Sequence, residues 1–95
     1  MAAVLGVLQL TLLMRGSHSL KDKRRVIRSI KDRLGHHYNI SIAEVDRQDI
    51  RNQAVLGIAM IGADAKYVRS ALNKILDRLH MHPEAEIVDH QLELL

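Results

Sequence analysis

A chain of 95 residues, 47% of them apolar, has the size of one domain with a modest core and is too apolar for a disordered tail. The absence of Cys excludes a disulfide framework, a thiol nucleophile and a thiolate metal site. The net charge is only +3, but residues 21–33 hold seven bases against two acids, while the stretch from Glu84 onward holds four acids and no Lys or Arg. Such polarity can steer an anionic partner or a second copy of the chain.

Residues 3–14 predict a first strand. Val4, Leu8, Leu10, Leu12 and Met14 share one parity, with Gly6 among them. Leu5, Val7 and Leu13 share the other with Gln9 and Thr11, which suits a central strand with a partly covered outer face. The apolar start has no basic n-region and is interrupted by Gln9 and Thr11, so it does not read as a signal peptide. No run approaches the length of a membrane span.

Residues 19–37, SLKDKRRVIRSIKDRLGHH, predict an amphipathic helix. Leu20, Val26, Ile27, Ile30 and Leu34 fall on one side. Lys21, Arg25 and Arg28 lie opposite with Asp32, flanked by Arg24 and Lys31. Ser19 is the expected N-cap, with Asp22 as a shortened capping box and Gly35 as a stop signal. Lys23 departs from the stripe, because it projects toward the apolar side. It either snorkels past Leu20 and Ile27 or pairs with an acid such as Glu44 or Asp46.

Residues 38–46 predict a second strand, with Ile40 and Ile42 on one parity and Ala43 and Val45 on the other. A polar link, residues 47–53, leads to a third strand, 54–61, whose near-continuous apolar run reads as interior. Asp64 caps a second helix, 65–82, which Pro83 terminates. A fourth strand, 85–94, places Val88, Leu92 and Leu94 on one parity and Asp89, Gln91 and Glu93 on the other.

Strand, helix, strand, strand, helix, strand predicts a ferredoxin-like split β-α-β sandwich: one α+β domain, with two helices on one face of a four-stranded antiparallel sheet. The other face would carry Leu5, Val7 and Leu13, with some of Val55, Ala59 and Ile61. Such a surface is too apolar to leave in water, so a homodimer is expected, by sheet packing or edge pairing.

The stretches 18–34 (HSLKDKRRVIRSIKDRL), 39–49 (NISIAEVDRQD), 56–64 (LGIAMIGAD) and 86–95 (EIVDHQLELL) resemble the YlxP-like family of small bacterial proteins, a family without a settled biochemical function. The resemblance implies a ferredoxin-like sandwich in a small cytoplasmic protein, often dimeric. Genes of such proteins in many bacteria lie near those for translation initiation and ribosome maturation, which implies an rRNA or ribosomal partner. The family's first strand often carries acids where this chain has Gln9 and Thr11, which argues against an acid-dependent role for that strand here.

The chemistry legible from the residues is binding chemistry. Lys21, Arg24, Arg25, Arg28 and Lys31 form a candidate polyanion-binding stripe, and otherwise a solvated helix face. Base stacking is not expected, since the only aromatics are Tyr38 and Tyr67 and neither lies in an interior strand. Glu44 and Asp46 share a strand face by parity, with Asp49 nearby. Together with Lys23 they form a candidate ion-pair or weak metal site. The six histidines form no zinc pattern, and Gly-rich phosphate loops and nucleophile elbows are absent. The resulting expectation is a noncatalytic binding or accessory protein, cofactor-free and off the membrane. The alternatives are a ligand-sensing or protein-interaction homodimer, and a hydrolase using Glu44, Asp46 and Asp49.

Overall fold

The computed structural model describes residues 2–95. Strand β1 spans Val4–Leu13, helix α1 Leu20–His37, β2 Ser41–Asp46, β3 Gln53–Gly62, α2 Ala65–His80 and β4 Glu86–Leu94. The four strands form one antiparallel sheet in the order β2-β3-β1-β4. This is the ferredoxin-like split β-α-β arrangement.

Alternation along β1 decides which face the helices cover. Leu8, Leu10 and Leu12 are fully buried and pair across the ladder with Ile58, Leu56 and Ala54 of β3. Val26, Ile27, Ile30 and Leu34 of α1 pack onto this layer, as do Val68, Leu72, Ile75 and Leu79 of α2. Burying each large aliphatic side chain contributes about 1.5–3 kcal/mol, so the helix face of the sheet holds the domain together. Gly6 lets α2 sit close to β1. A Cβ there would lie 2.6 Å from both Leu72 Cδ1 and Val68 Cγ1.

Both helices start where the sequence places them. The Ser19 side chain accepts from Asp22 N–H, and the Asp64 side chain from Lys66 N–H. Helix α1 does not stop at Gly35. It runs to His37, and Tyr38 N–H closes it on Leu34 C=O. Gly35 keeps a negative φ, and a glycine without a left-handed turn is merely a weak helix former. Helix α2 ends at His80, with Met81 as C-cap, two residues before the expected boundary.

Two bulges overturn parity assignments made from the sequence. In β4, Ile87 pairs with Leu12 and Asp89 with Thr11, so Val88 is the extra residue. Ile87 therefore packs against the core with Leu92 and Leu94, and Val88 is left 53% exposed. In β2, Glu44 pairs with Leu56 and Asp46 with Val55, so Val45 is extra. Val45 lies over Gly57, whose Cβ would be 3.1 Å from Val45 Cγ1.

The second face of the sheet is uncovered. Leu5, Val7, Gln9, Thr11 and Leu13 of β1 lie beside Ile61, Ala59, Gly57, Val55 and Gln53 of β3. Ile61 is 60% exposed, Val45 49% and Leu5 37%. No helix among the described residues is long and apolar enough to cross a membrane.

Candidate functional site

The outer face of α1 is a row of bases. Lys21, Arg24, Arg25, Arg28 and Lys31 are all exposed. They differ in what holds them. Arg25 reaches Glu84, in the connection between α2 and β4, with Nη2 2.7 Å from Oε2 and Nη1 3.4 Å from Oε1. That hydrogen bond, more than the charge, raises the guanidinium's pKa and lowers that of the Glu84 carboxyl. Lys21, Arg24, Arg28 and Lys31 make no ion pair among the described residues. Arg24, Arg28 and Lys31 border a shallow groove of about 360 Å³ beside the edge strand β2, floored by Ile27. Four free cations over about 15 Å of helix (1.5 Å per residue) can follow a phosphate backbone.

Lys23 belongs to the interior. Its side chain has no exposed surface, and its ammonium lies 2.7 Å from Glu44 Oε2. Backbone carbonyls complete the cage: Arg47 and Gln48 at 2.9 Å and Gln53 at 3.2 Å. Helix position explains this, since Lys23 is one turn before Ile27 on the covered side. Four acceptors surround three N–H donors, and among the described residues no buried side-chain polar atom is left without a partner. The cage pins the turn between β2 and β3 onto α1. Arg47 holds that turn with a φ of 60°, in the left-handed region that non-glycine residues seldom adopt.

A second latch lies beside it. Ser17 Oγ donates to Arg51 C=O at 2.6 Å, and Arg51 Nη1 donates to Ser17 C=O at 3.0 Å. Met14 N–H donates to Asn52 C=O at 2.8 Å. Ser17 is buried, although nothing in a serine of a connecting loop signals burial.

The three acids considered together from the sequence do not converge. The β2 bulge sets Glu44 opposite the core residue Leu56 and Asp46 opposite Val55 on the uncovered face. Glu44 is committed to Lys23, while Asp46 accepts from Arg47 N–H. Asp49 is exposed in the turn. No group of three or more His, Asp or Glu side chains among the described residues could hold a metal ion. Shared-face carboxylate chemistry by this trio has no geometric basis.

A different cluster, which the sequence reading missed, lies where the β1–α1 and α2–β4 connections meet. Arg15 bonds Glu86 at 3.1 Å, and Arg25 bonds Glu84. Between the two pairs opens a groove of about 560 Å³ that also takes in His82. His82 Nδ1 accepts from Glu84 N–H at 3.1 Å, and partial burial lowers the imidazole's pKa. The spacing Glu84-Ala85-Glu86 signals two neighbouring carboxylates, but nothing in it names the arginines opposite.

Comparison with known proteins settles the family. A family described as "Protein of unknown function (DUF503)" matches residues 5–92. The chain belongs to the DUF503 family. The uncharacterized Bacillus subtilis (strain 168) protein YlxP is 28% identical over 83 residues, 87% of this chain and 90% of that one. This DUF503 chain also resembles solved structures of low identity, which show the fold alone. A dimeric ferredoxin-like protein from an uncultured marine organism superposes with a TM-score of 0.55 at 8% identity, over 99% of this chain and 96% of that one. SnoaB, a cofactor-independent oxygenase from Streptomyces nogalater, gives 0.50 at 13% identity, over 99% and 92%. An amidase of the hydantoinase/carbamoylase family from Burkholderia phymatum gives 0.51 at 14% identity, over 98% of this chain but only 28% of the amidase.

Proposed function

We propose that this DUF503 protein is a noncatalytic binding protein of the cytoplasm that contacts structured RNA, such as rRNA on the ribosome, through the outer face of α1. The observation that carries the reading is the row Lys21, Arg24, Arg28 and Lys31, exposed and in no ion pair among the described residues. Internal pairing would have cancelled part of that field, whereas free cations release counterions from a phosphate backbone on binding. The row stands on a rigid support, since the opposite side of α1 is core and Lys23 ties the helix to the β2–β3 turn. Without aromatics on the open sheet face, phosphate contact supplies the affinity and shape supplies the selectivity. Recovery of the protein from cells with and without nuclease tests this. Nuclease-sensitive rRNA in the recovered material supports it, and nuclease-resistant protein partners without RNA contradict it.

The uncovered sheet face favours a second, compatible reading, in which two copies pack face to face. Strands of 10, 6, 10 and 9 residues, at about 3.4 Å per residue and about 4.8 Å per strand, give a patch of roughly 570 Å² per copy, against the roughly 800 Å² each partner gives a standard interface. Exposed Leu5, Val45 and Ile61 supply its apolar contacts, and one of the superposed ferredoxin-like proteins is itself described as dimeric.

A further inference from the structure

The geometry points to the groove between the β1–α1 and α2–β4 connections as a binding site for a free α-amino acid. Its volume, about 560 Å³, falls within the range of small-molecule sites. Met14 and Val26 close it from below and are themselves buried, so the surface it presents is chiefly that of its charged walls.

The charges on its walls select the ligand. Glu84, in the turn before β4, and Glu86, its first residue, both line the groove, with buried Ala85 between them. Each faces one guanidinium, Arg25 and Arg15 respectively. Both pairs are exposed, and exposed pairs are held only weakly, so a ligand can take the place of either partner. A simple anion that takes an arginine leaves a glutamate unpaired beside it. Asp22 also lines the groove, so carboxylates already outnumber guanidiniums there. A zwitterion avoids this conflict. Its carboxylate takes Arg25 and its ammonium takes Glu84, so every charge keeps an opposite neighbour. His82 adds a donor: its Nδ1 is occupied by Glu84 N–H, so the neutral ring carries its proton on Nε2.

This site is separate from the RNA surface, which rests on Lys21, Arg24, Arg28 and Lys31, so either can fail without the other. The test is an NMR titration of the full chain with leucine, N-acetyl-leucine and leucinamide at millimolar concentration. Saturable amide shifts at Arg15, Arg25, Ala85 and Glu86 are expected with leucine. Blocking either charged end should weaken binding about tenfold, the loss of one charge-assisted hydrogen bond. Arg25→Gln and Glu84→Gln should each do the same while keeping native chemical-shift dispersion, since both side chains are exposed. No saturable shift with leucine or any other free amino acid overturns the proposal. So does equal binding of the blocked analogues, or binding of inorganic phosphate in their place.

Discussion

Replacing Lys23 by Met removes one ammonium and leaves four acceptors behind: the Glu44 carboxylate and the carbonyls of Arg47, Gln48 and Gln53. The methionine fills similar volume, so the loss is electrostatic rather than a cavity. Breaking a buried pair from one side costs about 3–5 kcal/mol. The Glu44 side chain keeps 19% of its surface exposed and can still meet water, which places Lys23→Met near the lower end, about 3 kcal/mol. A domain of this size has roughly 5–15 kcal/mol in total and shifts by about 4–8 °C per kcal/mol, so the melting temperature should fall by more than about 10 °C. Glu44→Gln should cost less than Lys23→Met, because the amide oxygen and all three carbonyls still accept from the ammonium. Urea unfolding followed by circular dichroism, with an unchanged m-value, measures both. A loss below about 1 kcal/mol for Lys23→Met would refute the reasoning, as would a larger loss for Glu44→Gln than for Lys23→Met.

Three other outcomes are expected. Gly6→Ala places a methyl 2.6 Å from Leu72 Cδ1 and Val68 Cγ1, so overpacking should destabilise by about 1–3 kcal/mol in the same urea assay. Burial holds the His82 pKa below its ordinary 6.5, so the unfolded chain takes up that proton first. The stability His82 contributes is therefore complete above that ordinary value and is lost as pH falls through the lower folded value; His82→Gln should flatten that part of the stability-versus-pH curve. Ile61→Asp puts a charge on the most exposed large apolar residue of the uncovered face and should leave the monomer folded. Light scattering should then read 10.8 kDa for the variant and twice that for the wild type.

The fold was legible because burial is what alternation encodes. Leu8, Leu10 and Leu12 on one parity, and Val26, Ile27, Ile30 and Leu34 at helical spacing, are the buried residues themselves. The bulges were not legible. One extra residue at Val45 or Val88 leaves composition and local propensity unchanged, yet it puts the residues on its two sides out of parity with each other. That break in parity is why Glu44 and Asp46 seemed to share a face. The Lys23 anomaly could be read from the helical wheel, and Glu44 was among its anticipated partners, but the three carbonyls carry no side-chain signature. Arg25 looked like one more member of the stripe, because its partner Glu84 lies 59 residues away. Only the fold separates it from the four bases that stay free.

Those four bases carry the central claim, and salt dependence tests it most directly. Neutralising four phosphates gives a slope of log affinity against log salt of about −3 to −4, from roughly 0.7–0.9 per contact. Anisotropy titrations of a structured RNA across a salt series should show that slope for the wild type. The variant combining Lys21→Gln, Arg24→Gln, Arg28→Gln and Lys31→Gln should bring the slope close to zero. Absence of saturable binding at low salt, or a slope that the fourfold variant leaves unchanged, would contradict the account.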